Sequence, residues 1–169
     1  LKSADSIVKK LKKDGYEVTI ETMMEHLSDI AGVRIICSFI SDIYQIADMI
    51  ARQDDVTVLH VKDYIKHPKP NGYKSYHMVV TVPVYLTDGP VETKVEIQIR
   101  SVAMDFWASL EHKIAYKFEG NAPERLLQEL KACADMVDVL DAKMFSLNQA
   151  ITAIAERHRQ EEEERSEES

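Results

Sequence analysis

Several features that would place a sequence directly in one class of protein are scarce or absent in this one. The chain has two cysteines among 169 residues, Cys37 and Cys133, and their spacing is not that of metal ligands. Both stand in apolar surroundings, which predicts buried thiols in a reduced cytoplasmic protein. No apolar run approaches the roughly 18 residues of a membrane span, and no secretory signal is visible, so we expect no membrane partner.

Net positive charge is also lacking. The formal net charge is −8, which disfavours a general nucleic-acid binder. Half of that charge lies in residues 156–169, where seven acids and three arginines predict a solvated tail that frays. Residues 60–77 reverse the balance, with four lysines and three histidines against Asp63 alone. A local basic surface on an acidic protein indicates a small anionic ligand, although a solvated loop explains a lysine cluster equally well.

The chain does have the composition of an ordinary globular domain, with 45% apolar and 30% charged residues. Apolar periodicity, turn residues and capping residues predict helices at 2–13, 20–28, 40–53, 101–118 and 124–160, and strands at 33–39, 56–65, 76–86 and 91–100. This order predicts an α+β (mixed α/β) fold with four to five strands. We expect one domain over residues 1–155, followed by the acidic tail at 156–169.

The last predicted helix is long and carries an apolar stripe. Its members are Leu126, Leu130, Met136, Val137, Leu140, Met144 and Leu147. Such a stripe covers either the domain's own sheet or another subunit, and we favour oligomerisation through it. The preceding helix has a predicted core stripe of Phe106, Leu110 and Ile114. For its Trp107, Glu111 and His112, packing or a supporting role is favoured over catalysis.

The strand at 91–100 alternates strictly between apolar and polar residues. Its polar positions share one face and are Glu92, Lys94, Glu96, Gln98 and Arg100. A solvated face is the ordinary explanation, but other strands carry Arg34 and His77 at matching positions, and Asp29 stands just before a strand. Asp29 and Glu96 among cations would form a floor for Mg²⁺ and polyphosphate, because Mg²⁺ takes one or two carboxylates together with phosphate oxygens and water.

The first predicted helix offers a second group of cations. Lys2, Ser6 and Lys10 are spaced four apart, so they line one helical face. Lysines on such a face can bind a triphosphate as point charges. A solvated lysine face explains the same pattern and is the commoner case.

The segment "HPKPNGYKSYH" at 67–77 combines turn residues with aromatic rings and cations. Pro70-Asn71-Gly72 predicts a turn from which Tyr73 projects between Lys69 and Lys74. An exposed ring beside cations can stack on a nucleobase. The segment is a turn in either case, and its composition leaves open whether it also binds a ligand.

Four segments resemble, in order, the motifs of the RelA/SpoT-type (p)ppGpp synthetases. They are "DIAGVRIICSF", "YIKHPKPNGYKSYH", "KVEIQIR" and "AMDFWASLEHKIAYK". The likeness covers residues 2–118, with a weaker helical match to 155, and the chain is most similar to a bacterial small alarmone synthetase of the RelQ type. The resemblance implies a nucleotidyltransferase-like mixed sheet with a long C-terminal helix. It also implies a cytoplasmic enzyme of the stringent response that transfers a pyrophosphoryl group from ATP to the 3′-OH of GTP or GDP and releases AMP.

The resemblance further implies which residues form the site. Asp29 and Glu96 would hold Mg²⁺, and Glu96 would accept the proton of the ribose 3′-OH. Tyr73 would stack on guanine, and the other residues on the guanosine side would be Lys62, Lys69, Asn71, His77 and Gln98. The ATP side would consist of Lys2, Ser6, Lys10 and Arg34. The family's ATP motif also has an arginine two residues before Lys2, at a position outside this chain.

Three partner expectations come from the same resemblance: a homotetramer built through terminal helices, an allosteric (p)ppGpp site in its central cleft, and single-stranded RNA. The sequence departs from the family at Tyr76, where many relatives have leucine. Because Tyr76 should face away from His77, we expect a change of packing and no loss of activity.

Other functions stay open. Some relatives act on adenine nucleotides or on the 3′ end of tRNA, and Tyr73 would stack on either purine. The tRNA reaction should require a more cationic surface than this acidic chain offers. A non-catalytic module that binds guanosine nucleotides or RNA has no need for a metal site, so Asp29 and Glu96 speak against it. The four ordered motifs disfavour a purely structural α+β protein.

Overall fold

The structure, a computed structural model, describes residues 3–27, 30–118 and 121–167. Its elements in chain order are α1 (Ala4–Lys13), α2 (Ile20–His26), β1 (Ala31–Cys37), α3 (Ile40–Ala51), β2 (Thr57–Asp63), β3 (Tyr76–Leu86), β4 (Gly89–Ser101), α4 (Val102–Lys117) and α5 (Glu124–Glu167). Each predicted helix and strand is present, with ends shifted by a few residues. The predicted α+β fold with a long C-terminal helix is therefore confirmed.

The sheet formed by the described residues has four strands in the order β1-β4-β3-β2. The outer strand β1 runs parallel to β4, whereas the β4–β3 and β3–β2 pairs are antiparallel, so the sheet is mixed. Proline is tolerated in a strand only where its missing N–H removes no ladder hydrogen bond, and β3 contains Pro83. Pairing of β2 with β3 ends at Thr57–Thr81, so Pro83 lies where β3 pairs with β4 alone. Its missing N–H therefore removes no hydrogen bond to β2.

The main core lies on one face of this sheet, beneath α3. Its buried members are Cys37, Ile43, Ala47, Met78, Val80, Ile97, Ile99 and Met104. On β3 and β4 these side chains occupy every second position, as the period of a strand requires. The helix that covers them begins with a hydrogen bond of 3.1 Å from the Phe39 N–H to the Asp42 carboxylate. The opposite face carries the polar side chains of β4, although Val79 of β3 and Ile36 of β1 also lie on it.

The helices α4 and α5 pack together beside the sheet. Trp107 is 4% exposed and donates its indole N–H to the Leu130 carbonyl at 2.8 Å. Ser101 accepts the Met104 N–H at the start of α4 and donates its hydroxyl to Asp141 of α5. Burial raises the pKa of the Asp141 carboxyl, although the Ser101 hydrogen bond lowers it. These contacts fix α5 across the start of α4.

Two predictions about packing were wrong. Cys37 is buried, but Cys133 is exposed on α5. In α4, Phe106 is 64% and Leu110 40% exposed, because the helix directs Met104, Trp107 and Ala108 inward instead. The exposed set with Phe106 and the buried set with Trp107 both have helical spacing, so periodicity alone did not show which one faces the core.

The long helix α5 uses only part of its apolar stripe within the domain. Leu130 and Val137 pack against Trp107, whereas Met136, Leu140, Met144 and Leu147 are about half exposed or more. The helix continues through 156–167, and the side chains described there are exposed. Whether this acidic part frays in solution stays a prediction. No helix within the described ranges is both long and apolar enough to cross a membrane.

Candidate active site

The polar face of the sheet gathers side chains from all four strands into one row. Arg34 on β1 lies opposite Gln98 on β4, which lies opposite His77 on β3, which lies opposite Lys62 on β2. Glu96 occupies the neighbouring row, opposite Gly32. The strand register thus places together five of the residues that the sequence assigned to the site.

Five side chains on this face form a closed ring of polar contacts, which we call the polar ring: Glu96, His77, Tyr73, Arg100 and Gln98. The His77 Nδ1 lies 3.3 Å from the Glu96 carboxylate, and the His77 Nε2 lies 2.8 Å from the Tyr73 hydroxyl. Arg100 donates to the Tyr73 hydroxyl at 2.7 Å and to the Gln98 carbonyl at 2.8 Å. Gln98 closes the ring by donating to Glu96 at 3.2 Å.

Arg100 can only donate, so the Tyr73 oxygen accepts from it and the tyrosine proton is available to the His77 Nε2. When Tyr73 donates to that nitrogen, the proton of the neutral His77 ring sits on Nδ1, facing Glu96. In this tautomer the hydrogen bonds run from Arg100 through Tyr73 and His77 to the Glu96 carboxylate.

Arg100 also connects this ring to the opposite end of the row. Its side chain is 6% exposed, and the guanidinium donates to the Asp105 carboxylate at 3.0 Å. The same carboxylate oxygen lies 3.3 Å from a guanidinium nitrogen of Arg34. Asp105, in the first turn of α4, thus holds Arg34 and Arg100 side by side. This arrangement offsets the cost of burying the Arg100 charge.

The turn at 69–73 positions Tyr73 from outside the sheet. The Gly72 N–H bonds to the Lys69 carbonyl at 2.8 Å, and the Tyr73 N–H bonds to the Asn71 side chain at 3.1 Å. Gly72 has a φ of +89°, and a Cβ there would lie 2.5 Å from the Ala134 Cβ on α5. Glycine is therefore required both for the turn and for the close approach to the helix.

Tyr73 is less exposed than its place in a turn suggested. Its ring is half-buried and its hydroxyl is held in the polar ring, while the Lys69 ammonium lies 4.7 Å from the ring centre. Lys74 points elsewhere and forms an ion pair with Asp138 of α5. Lys69 therefore lies against the aromatic ring of Tyr73, whereas Lys74 attaches the turn to α5.

Two open cavities border the polar face. One, of about 370 Å³, is lined by Arg34, Tyr73, Arg100, Ala108, Ser109, Glu111, His112 and Lys113. The other, of about 200 Å³, is lined by Gly32, Val33, Arg34, Glu96 and Gln98. Arg34 borders both, so a ligand in either cavity meets the same guanidinium. Glu96 lies on the floor of the smaller cavity.

Some predicted site residues are not brought into this arrangement. Asp29 and Lys2 lie outside the described residues. The Ser6 hydroxyl bonds to the Ser3 hydroxyl at 2.9 Å in the first turn of α1, and Lys10 lies farther along that helix. Among the described residues that line the two cavities, none belongs to α1. The ATP-binding role of this helix stays a prediction.

The residues present fit a Mg²⁺ ion in part. Glu96 is 23% exposed at its side chain and borders an open cavity. A site of this kind suits Mg²⁺, which needs few protein ligands when phosphate oxygens and water complete its shell. No cluster of three or more metal-binding side chains occurs among the residues described.

The sequence reasoning did not assign three residues that shape this site: Arg100, Asp105 and Glu111. Arg100 was placed on the correct face by alternation, but its contacts depend on the turn and on α4. Asp105 and Glu111 lie on α4, and only the packing of that helix beside β1 and β4 brings them here. No feature of the sequence indicated Asp105, whereas for Glu111 the sequence favoured packing or a supporting role over catalysis.

Tyr76 faces the core, as predicted from its alternation with His77. It packs edge-on against Tyr44, with ring centres 5.6 Å apart. The Tyr44 hydroxyl donates to the Asp63 carboxylate at 3.1 Å. Burial and this carboxylate raise the pKa of Tyr44 to about 12. Asp63 also accepts the backbone N–H groups of Ile65 and Lys66 at 3.0 Å each. This carboxylate therefore anchors the segment that follows β2 to α3.

The chain is similar to known proteins in both sequence and structure. The family model described as a region found in RelA / SpoT proteins matches residues 1–121. A GTP pyrophosphokinase of Bacillus subtilis (strain 168), YwaC, is 51% identical over 151 residues, which are 89% of this chain and 72% of that protein. The crystal structure of small alarmone synthetase 2 from Bacillus subtilis has a TM-score of 0.81 at 50% identity, covering 88% of this chain and 77% of that one. Small alarmone synthetase 1 from the same organism, bound to its product pppGpp, has a TM-score of 0.83 at 36% identity, covering 89% and 76%.

Proposed function

Because this chain belongs to the RelA/SpoT family, we propose that it is a GTP pyrophosphokinase that makes (p)ppGpp. It transfers the pyrophosphoryl group of ATP to the 3′-OH of GTP or GDP and releases AMP. The observation that carries this proposal is the polar ring, which holds Glu96 at the floor of a cavity bordered by Arg34. The similar Bacillus subtilis protein YwaC is a GTP pyrophosphokinase.

Glu96 acts as the general base. Its carboxylate is oriented by His77 and Gln98 on either side, so it can accept the proton of a ribose 3′-OH placed in the smaller cavity. A positioned base typically contributes roughly 10²–10⁴-fold to the rate. The remainder of the acceleration comes from alignment of the two nucleotides and from cationic side chains, since phosphoryl-type transfer requires little covalent chemistry from the protein.

Arg34 binds the donor phosphates and Tyr73 binds the acceptor base. The guanidinium of Arg34 borders both cavities, so it lies where the two nucleotides would meet. The Tyr73 ring lines the larger cavity, and the Lys69 ammonium lies over that ring. The Asn71 side chain accepts the backbone N–H of Tyr73. Lys62 and His77 continue the row along the acceptor side. Lys2, Ser6 and Lys10 supply further cations and a hydroxyl to the donor.

Mg²⁺ is the expected cofactor, held by Glu96 and Asp29 together with phosphate oxygens. When bound, the ion neutralises the charge on the phosphates and withdraws electrons from the group in transfer. The carboxylate of Glu96 would then hold the ion and face the ribose hydroxyl, in the orientation that His77 and Gln98 give it.

The enzyme assembles as a homo-oligomer through α5, and by resemblance as a tetramer. The apolar side chains that the domain leaves exposed on α5 continue to Ile151 and Ile154, which are 65% and 48% exposed. Leu140 and Met144 of α5 also line an open apolar groove with Phe106 of α4. Exposed apolar area of this extent is typical of a protein–protein interface.

The activity is tested directly by product analysis. The protein is incubated with ATP, Mg²⁺ and either GTP or GDP, and the nucleotides are separated by anion exchange. We expect AMP to accumulate together with a guanosine nucleotide that elutes later than the acceptor. Absence of AMP with both acceptors, from folded protein, would refute the proposal.

A further inference from the structure

The larger cavity contains a carboxylate that a phosphate site would not have. Its volume of about 370 Å³ lies in the range of small-molecule sites. Three cations line it, Arg34, Arg100 and Lys113, and Glu111 is the one acidic side chain that the described residues contribute to its wall. Where no metal ion lies between them, a carboxylate repels a phosphate. The Glu111 carboxylate therefore suits an uncharged part of the ligand that can donate hydrogen bonds.

Glu111 is tied to the turn that carries Tyr73. Its carboxylate accepts the side-chain N–H of Asn71 at 3.4 Å, and the Asn71 carbonyl accepts the backbone N–H of Tyr73 at 3.1 Å. Asn71 thus connects the aromatic ring to the carboxylate, and both border the same cavity. A carboxylate has about four acceptor sites, so the single bond from Asn71 leaves it able to accept more.

We propose that Glu111 selects the acceptor nucleobase by accepting hydrogen bonds from N1–H and the exocyclic amine of guanine. This inference rests on the proposed function and deepens it. The Watson–Crick edge of guanine presents these two donors side by side, which matches the two oxygens of one carboxylate. Adenine has an unprotonated N1 at the same place, so its lone pair would meet the carboxylate. Stacking on Tyr73 does not distinguish the two purines, whereas this contact does.

A simpler role for Glu111 is to hold Asn71 in place. The substitution Glu111→Gln separates the two roles, because the glutamine carbonyl still accepts from Asn71. The glutamine amide offers a purine edge only one acceptor and places an N–H₂ group against a guanine donor. If Glu111 only positions the turn, Glu111→Gln should behave like the unmodified protein.

The test compares three acceptors, GDP, IDP and ADP, with ATP as donor. IDP keeps N1–H but lacks the exocyclic amine, so it removes one of the two proposed hydrogen bonds. For the unmodified protein we expect kcat/KM for GDP to exceed that for IDP by roughly 10- to 100-fold, the usual effect of a hydrogen bond to a charged group. ADP should be a poorer acceptor than IDP. In Glu111→Gln we expect the ratio of GDP to IDP to fall to within a few-fold of one.

A matched control is Glu129→Gln, which changes an exposed glutamate on α5 outside the cavity lining. It should keep the GDP preference of the unmodified protein. Glu111→Asp, which withdraws the carboxylate by one methylene, should lower the preference without removing the charge. Circular dichroism of each variant verifies that it is folded.

Binding measured by calorimetry with GDP and IDP distinguishes this inference from the proposed function. A GDP preference in Kd that is lost in Glu111→Gln supports the inference even if no turnover occurs, in which case the proposed function fails alone. Equal affinity of the unmodified protein for GDP and IDP would overturn the inference, and this result needs no variant. An unchanged ratio in Glu111→Gln, whether or not overall affinity falls, would overturn it as well.

Discussion

The two faces of the one sheet differ in what they contribute to the protein. On β3, Met78 is 1% exposed and packs into the core under α3, whereas its neighbour His77 faces the opposite side and joins the polar ring. On β4, Ile97 and Ile99 belong to the core, while Glu96, Gln98 and Arg100 belong to the ring. Alternate residues of the same strands therefore belong to the core and to the proposed active site.

This separation has an energetic meaning. Removing methylene groups from the core face leaves a cavity and costs stability, because the close-packed interior relaxes only partly. The polar face borders open cavities, so water can replace a lost partner there. A substitution on this face should change catalysis or binding more than the free energy of unfolding.

Glu96→Gln should give the largest effect on activity. Removing the general base should lower the rate of AMP release by roughly 10²–10⁴-fold. The free energy of unfolding in urea should change by less than about 0.5 kcal/mol, because the side chain is 23% exposed at an open cavity. Glu92→Gln is the matched control, since Glu92 lies on the same face of β4 but is exposed at its far end. Full activity of Glu96→Gln would show that another group is the base.

Met78→Ala tests the other face one residue away from His77. Loss of this buried side chain should lower the free energy of unfolding by about 2–5 kcal/mol. The turnover of the protein that remains folded should stay within a few-fold of the original. Val84→Ala, at the half-exposed end of the same strand, should cost less stability. A loss of turnover without a loss of stability in Met78→Ala would break the distinction between the faces.

Ser101→Ala removes a hydroxyl that joins the sheet, α4 and α5. The variant loses the cap of α4 and leaves the buried Asp141 without its donor, so the free energy of unfolding should fall by about 1–3 kcal/mol. Urea denaturation measures this change. Ser146→Ala, an exposed site on α5, should be nearly neutral. Equal stability of the two variants would argue against the Ser101 contacts.

Tyr73→Phe keeps the ring but removes the hydroxyl that links Arg100 to His77. We expect kcat/KM for the guanosine acceptor to fall by roughly tenfold, the effect of losing a hydrogen bond to a charged donor. Tyr64→Phe serves as the control, because Tyr64 also lies beside Lys69 but is not a member of the polar ring. An unchanged kcat/KM in Tyr73→Phe would mean that residue 73 acts only by stacking of its aromatic ring on the base.

Asp141→Asn should show the smallest effect, and one that depends on pH. Burial raises the native pKa of this carboxyl above its unfolded value, so the native state takes up a proton first as the pH falls. The unmodified protein should therefore gain stability relative to Asp141→Asn as the pH is lowered from neutral through that pKa, by about 1 kcal/mol or less. Urea denaturation of both proteins across this range measures the difference. A difference that does not vary with pH would contradict the raised pKa.

Much of this organisation follows from the sequence. Strand alternation placed Glu96, Gln98 and Arg100 on one face and matched Arg34 and His77 to it. The register seen in the structure confirmed that shared face and added Lys62. The period of a strand is two, so a correct strand assignment fixes the face of every side chain. The resemblance to the family then implied roles for these residues, and those roles stay predictions.

The helical parts were harder to predict. In α4, Phe106 and Leu110 have the spacing of a core stripe, yet Trp107 and Ala108 are buried instead. A helix with apolar residues on more than one side does not reveal which side faces the domain. For the same reason, Asp105 and Glu111 gave no sign that they reach the polar face. Their positions depend on how α4 packs against the sheet, which is a tertiary property.

The central claim is that β- and γ-phosphates move together from ATP to a guanosine nucleotide, and isotope transfer tests it most directly. ATP labelled with ³²P at the β-phosphate is incubated with the protein, Mg²⁺ and GDP, and the labelled products are separated. We predict that the label appears in a guanosine nucleotide more charged than GDP, with one AMP released for each product formed. Label that remains in ADP, with no AMP, would mean that only the γ-phosphate moves and would contradict the account.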